Sequence, residues 1–246
     1  MTDKTGNRPT KPALVIFDKD GTLICVHAMM GPLTRHLAQS MEAETKLQFR
    51  DRLYKFLGYD EKTRRMTKGI MTEVNDDLIK KELCSFLVRE GVEKAEDVME
   101  KCWFGEDILA TTGVNPIGDV KKLMNTLKKN GIKIAICTGD GRESTERVVK
   151  ILELGQLVDT MVCGTDEDSI SKPSPHNALM ICERLGIHPS DTMIVGDTLG
   201  DSRMGRSAGL GWIVGVPTGT YSEDELKADA DYIVKDVHGI LSIMQL

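Results

Sequence analysis

The chain has no apolar run long enough to cross a membrane, no cysteine pair at metal-binding spacing and no tract rich in lysine and arginine. Each absence removes a class of function. A membrane span needs about 20 apolar residues, whereas the apolar run behind the polar start MTDKTGNRPTKP covers only Ala13 to Phe17 and ends in acid, too short also for the core of a secretory signal. The six cysteines (Cys25, Cys84, Cys102, Cys137, Cys163, Cys182) are scattered, with no CxxC pair and no histidine at zinc-ligand spacing. They read as reduced thiols of a cytoplasmic protein. Aromatic residues make up only 4% of the chain and are not interleaved with basic ones, and the net charge is -6, so nucleic acid is not an expected partner. There is no internal repeat and no low-complexity segment.

What is present is enough apolar material for a proper core, 40% of 246 residues. Five short runs rich in β-branched residues stand out: ALVIF (13–17), IKIAIC (132–137), MVC (161–163), TMIVG (192–196) and WIVGV (212–216). They are continuous rather than alternating, the pattern of strands covered on both faces. Between them lie helical patterns, DVKKLMNTLKKN, RESTERVVKILEL, SPHNALMICERL and DSRMGRSAG, with glycines 131, 155, 186 and 209 as expected stops. Alternation of this kind predicts an α/β fold, a Rossmann-like doubly wound parallel sheet. The stretch from about Val26 to Gly113 differs, with helix-period clusters and no convincing strand, so it predicts an all-helical inserted domain. Gly and Pro in MMGP (29–32) and TTGVNP (111–116) mark its expected crossings. The expected division is 11–26 with 114–246 as the core and 27–113 as the insertion.

Ligands of open α/β sheets bind at the carboxyl ends of the strands. Asp18 and Asp20 follow the first strand, Thr138 and Gly139 the second, Asp197 and Asp201 the fourth, and Lys172 lies beyond the short third one. Four carboxylates at one sheet edge repel one another unless positive charge sits among them. A hard divalent cation, Mg2+ above all, answers that need together with a substrate phosphate, and one lysine supplies the rest. Phosphoryl transfer follows, because there the protein mainly positions groups and neutralises charge.

DKDGTL, ICTGD, SKPSP and VGDTLGD, in that order, resemble the four motifs of the haloacid dehalogenase superfamily, and the helical insertion between the first two resembles its subfamily with a C1 cap, the phosphoglycolate phosphatase-like enzymes. The resemblance implies that Asp18 is the nucleophile that forms an aspartyl-phosphate. Asp20 would protonate the leaving oxygen and then activate water. Thr138 and Gly139 would hold a phosphate oxygen, and Lys172 would clamp both the phosphate and Asp18. Asp18, Asp197 and the carbonyl of Asp20 would ligate Mg2+, with Asp201 orienting the metal's waters or the lysine. Gly21 and Thr22 would make the turn that leaves the site open. Two positions depart from the common pattern: Lys19, between the two aspartates, where the residue is often apolar, and Asp140, after Thr138-Gly139, where a small polar residue is frequent.

The expected function is therefore hydrolysis of a small phosphorylated metabolite, phosphoglycolate or a sugar phosphate first, by a cytoplasmic monomer or homodimer that binds neither nucleic acid nor membrane. A β-phosphoglucomutase-like phosphotransferase and a non-catalytic phosphometabolite-binding module are the alternatives. A phosphonate hydrolase of the family would carry a small residue in place of Asp20 and use a cap lysine. Arg64, Arg65 and Lys68 read as a solvated helix face, and the five histidines as isolated residues the chemistry does not need.

Overall fold

A computed structural model of the chain describes residues 11–73, 76–103 and 113–246. The polar N-terminus up to residue 10 and the first two residues of TTGVNP lie outside the described residues. Six strands form one parallel sheet: β1 Leu14–Phe17, β4 Lys133–Cys137, β5 Thr160–Val162, β6 Thr192–Gly196, β7 Trp212–Gly215 and β8 Tyr232–Ile233, in the spatial order β5-β4-β1-β6-β7-β8. Strand β1 is wholly buried and sits between β4 and β6, with Phe17 opposite Ile136 on one side and Val195 on the other. Its neighbours in space are thus two strands far apart in sequence, and the order reverses at β1. That is the topological switch point where α/β sheets form their binding crevices.

The continuous apolar runs are explained by burial on both faces. Val15 and Phe17 point into a core shared with Leu123, Met124 and Leu127 of the helix Val120–Lys129, while Leu14 and Ile16 join Ala178, Ile181 and Met204 of the helices His176–Leu185 and Leu199–Ser207. Gly186 ends its helix in the left-handed conformation, with its N–H on the carbonyls of Cys182 and Glu183. Gly155 does not do so: the helix Arg142–Ile151 stops four residues earlier and the left-handed position is taken by Glu153, at φ 54°. The two-residue edge strand β8, with Tyr232 buried in one core and Ile233 packed against the other, was not among the runs read as strands.

The chain divides into two compact units, one made of the residues up to Cys25 with Pro116–Leu246, the other of Val26–Asn115. The second unit has its own core, built from Leu37, Met41, Leu53, Leu57, Leu83 and Phe86 among others. Two expectations for it are corrected. MMGP is not a crossing, since Gly31 and Pro32 lie inside the helix Val26–Thr45, whose buried positions Leu33, Leu37, Ala38 and Met41 keep one apolar face through the proline. That helix ends at Thr45, Lys46 turns left-handed (φ 61°), and the chain restarts as a helix at Arg50–Leu57. Nor is the insertion purely helical: Tyr59–Asp60 (β2) pairs antiparallel with Arg65–Met66 (β3), around a turn tied by the Asp60 carboxylate to Lys62 N–H and the Thr63 hydroxyl. Arg65 therefore lies on a strand rather than a helix face, and its guanidinium meets Nε2 of buried His27 at 2.7 Å.

Candidate active site

At the carboxyl end of β1, Asp18 donates its N–H to the carbonyl of Val195, which continues the sheet ladder by one residue and fixes the carboxylate at the switch point. Lys172 Nζ reaches Asp18 Oδ1 at 2.6 Å and Asp201 Oδ1 at 2.5 Å. Oxygens of Asp18, Asp197 and Asp201 all lie within 4.8 Å of one another, and all three residues are buried. Three segments distant in sequence thus converge on one small volume.

Each carboxylate is held by its surroundings. The Thr22 hydroxyl donates to Asp197 Oδ1 at 3.0 Å, a task beyond the turn that the sequence suggested for it. Gly21 adopts φ +88°, and a Cβ on it would overlap the Asp197 carboxylate. A Cβ on Gly219, in the loop after β7, would likewise overlap the Asp197 carboxylate, while its neighbour Thr218 donates to the carbonyl of Gly21 at 2.5 Å. None of the four motifs contains this loop, and a Thr-Gly pair in a turn carried no signal of its own. Asp201, the third residue of the helix Leu199–Ser207, closes a capping box with Thr198, its Oδ2 accepting from the Thr198 hydroxyl at 2.6 Å. Both its oxygens thus hold donors, Lys172 on one and Thr198 on the other.

Thr138 is buried at the end of β4, its N–H on Val162 O and its hydroxyl oxygen accepting from Asp140 N–H at 3.1 Å. A Cβ on the neighbouring Gly139 would meet nothing within 4 Å. Asp20 does not join the acidic cluster. Its carboxylate faces Lys19, whose fully buried ammonium lies 2.7 Å from Oδ1 and 2.6 Å from Oδ2, and 2.8 Å from Asp140 Oδ2. Cys137, beneath the site, is buried and its thiol is pushed up to about 11 by that burial, so it is inert as a nucleophile.

The electrostatics test whether a cation belongs here. Burial raises Asp18 to about 7, with Asp201 and Asp20 pushing the same way and Lys172 opposing. Asp197 is held well above its ordinary 3.8 by burial and then by Asp18 and Asp201, against the Thr22 hydrogen bond and Lys172. Three buried carboxylates share one ammonium, a donor set of hard oxygens with excess negative charge that fits Mg2+. A carboxyl with a raised folded pKa binds its proton more tightly folded than unfolded. Its stabilisation is therefore complete below the unfolded value of 3.8 and is lost as pH rises through about 7. The melting temperature of chelator-treated protein is accordingly expected to fall between about pH 5 and pH 8. Saturating Mg2+ at the upper end should raise it by roughly 5–10 °C, the shift for a ligand at about 100 times its Kd. A melting temperature indifferent to Mg2+ at both ends would count against a cation in this cluster.

Gly219→Ala should weaken that same response. By displacing the Asp197 carboxylate it is expected to raise the Mg2+ concentration for half-maximal thermal shift by roughly 10- to 100-fold, as loss of a ligand's supporting contact does. An unchanged titration would show that the loop does not position Asp197.

Known proteins resemble this chain in sequence and in fold. Residues 12–209 match the family model described as haloacid dehalogenase-like hydrolase. A phosphonoacetaldehyde hydrolase of Bacillus cereus is 33% identical over 139 residues, 53% of this chain and 52% of that protein. A phosphoglycolate phosphatase of Nitrosospira multiformis is 33% identical over 128 residues, 51% of this chain and 55% of that protein. The chain thus spans about half the length of the curated relatives it matches. Among solved structures, a predicted phosphoglycolate phosphatase from Haemophilus somnus superposes with a TM-score of 0.68 at 21% identity, covering 96% of this chain and 99% of the other. CbbY from Rhodobacter sphaeroides, in complex with phosphate, gives 0.64 at 18% identity over 96% and 100% of the two chains.

Proposed function

The chain belongs to the haloacid dehalogenase-like hydrolase family, and on that premise we propose that it is a Mg2+-dependent phosphatase of a small phosphate monoester, acting through an aspartyl-phosphate on Asp18. The observation that carries this reading is the convergence of Asp18, Lys172, Asp197 and Asp201 at the switch point of the sheet. Asp18 Oδ would attack phosphorus as the bond to the leaving oxygen breaks, and Asp20 would give that oxygen its proton. Asp20 would then take a proton from the water that attacks phosphorus, releasing inorganic phosphate and restoring Asp18. Thr138 and the N–H of Gly139 would hold phosphate oxygens, and Lys172 would neutralise the charge that gathers on them. Asp18, Asp197 and the Asp20 carbonyl would hold Mg2+, which when bound stabilises negative charge on the transferring phosphoryl group.

Phosphoglycolate-type and sugar phosphate esters are the first substrate candidates, in keeping with the phosphoglycolate phosphatase among the similar proteins. A second reading, cleavage of a phosphonate, is favoured by the similarity to phosphonoacetaldehyde hydrolase. Asp20 supports the ester, since an alkoxide leaving group needs a proton at the moment of departure. The test is phosphate release from a panel of 2-phosphoglycolate, sugar phosphates, nucleoside monophosphates, pyrophosphate and phosphonoacetaldehyde, with Mg2+ or chelator. Metal-dependent turnover of one ester is the expected result. Turnover of the phosphonate alone would overturn the ester reading, and isomerisation of a sugar phosphate faster than phosphate release would replace hydrolase by mutase.

A further inference from the structure

The two residues that depart from the motif pattern touch each other. Lys19 and Asp140 are 121 positions apart, yet the Lys19 ammonium lies 2.8 Å from Asp140 and within 2.7 Å of both oxygens of Asp20. A lysine with no solvent exposure needs a carboxylate partner at all times, because an unpaired buried charge costs several kcal/mol. Asp20 alone could supply that partner only by staying where it is.

We infer that Lys19 and Asp140 form a charged clasp that sets the position of the Asp20 carboxyl, holding it at rest and freeing it toward the leaving oxygen while Asp140 keeps the ammonium neutralised. Asp140 is built to stay: its Oδ1 accepts from Gly141 N–H at 2.7 Å, its own N–H is bonded to the Thr138 hydroxyl, and its carbonyl accepts from Gly164 N–H at 2.8 Å. Asp20 has no such second anchor on its carboxylate among the hydrogen bonds of the described residues, and its side chain keeps 22% of its exposure. The clasp also ties the turn after β1 to the loop that carries Thr138, so the acid and the phosphate-holding hydroxyl are placed by one connected set of bonds. Lys19 and Asp140 are positioning residues. The inference rests on the phosphatase reading, in which Asp20 is the acid and base.

The test is a double-mutant cycle with Asp140→Asn, Lys19→Met and the pair, each assayed on an alkyl phosphate and on para-nitrophenyl phosphate. Asp140→Asn leaves the ammonium with Asp20 as its sole charged partner and should lower kcat on the alkyl ester roughly ten- to hundredfold, part of what general acid catalysis is worth. The loss on the nitrophenyl ester, whose leaving group needs no proton, should be several times smaller. Lys19→Met leaves two carboxylates facing each other and should also lose activity, whereas the double variant, with neither an ammonium to hold Asp20 nor a second carboxylate to repel it, should lose clearly less than the two single losses combined. Equal losses on both esters, or additive losses in the pair, would overturn the clasp. Active wild type with single variants at wild-type rates would also overturn it while sparing the phosphatase reading; wild type inactive on every ester would overturn both. A crystal of wild type with Mg2+ and vanadate does not depend on any variant folding. It should show Asp20 turned to the vanadate with Lys19 still on Asp140, and Lys19 still on both Asp20 oxygens there would overturn the clasp.

Discussion

Asp18→Asn is expected to lower phosphate release by on the order of 10^5-fold, the scale of losing a nucleophile, while the protein folds normally. The amide is isosteric with the carboxyl but cannot form the bond to phosphorus, so the intermediate has no atom to form on. Folding should survive for an electrostatic reason. Asp18 sits at about 7 because burial, Asp201 and Asp20 all disfavour its charge, so a neutral side chain there relieves repulsion. Lys172 keeps Asp201 as a partner at 2.5 Å. Without metal, the variant should therefore melt no lower than wild type above about pH 7, where wild-type Asp18 has lost the proton that the fold prefers it to keep. Circular dichroism melts beside a phosphate-release assay check both halves, and release at a tenth of the wild-type rate or more would sink Asp18 as nucleophile.

Lys172→Met should be the most damaging change to fold and chemistry together. Burial disfavours the ammonium, yet Asp18 and Asp201 hold it well above 10.5, so its stabilisation is complete at neutral pH and would be lost only in strong base. Removing it leaves two buried carboxylates without their cation, a loss of about 3–5 kcal/mol, and activity should fall by on the order of 10^3-fold, the range for one donor to a developing charge. Lys172→Arg should rescue the stability in part and the rate hardly at all, because a planar guanidinium does not place its donors where the ammonium does. Chemical denaturation and steady-state kinetics measure the two losses. A Met variant as stable as wild type would mean that the pairing with Asp18 and Asp201 is not what neutralises the cluster.

The parallel sheet was legible because strands covered on both faces are written as unbroken apolar runs, and TMIVG (192–196) coincides with β6 residue for residue. Short elements were not. Two residues each suffice for β2, β3 and β8, too few for any period to register, and the break at Lys46 hangs on one left-handed residue within an otherwise helical pattern. At the site the same divide holds. Asp18, Thr138, Lys172, Asp197 and Asp201 could be named because each follows a recognisable strand or lies in the loop beyond one. That Asp20 faces Lys19 rather than the acidic cluster, that Asp140 completes its charge balance, and that Gly219 leaves room for the Asp197 carboxylate depend on which loops meet in space. A linear motif carries no record of such meetings.

The central claim is that phosphorus passes through Asp18. The direct measurement is a rapid acid quench of the protein turning over its best ester from the panel, followed by mass spectrometry of the peptide that spans Asp18 and Asp20. The account predicts an added phosphoryl group on Asp18 that vanishes once substrate is exhausted and never forms in Asp18→Asn. Steady turnover with no phosphorylated peptide at any quench time, or with the group on another residue, would contradict it.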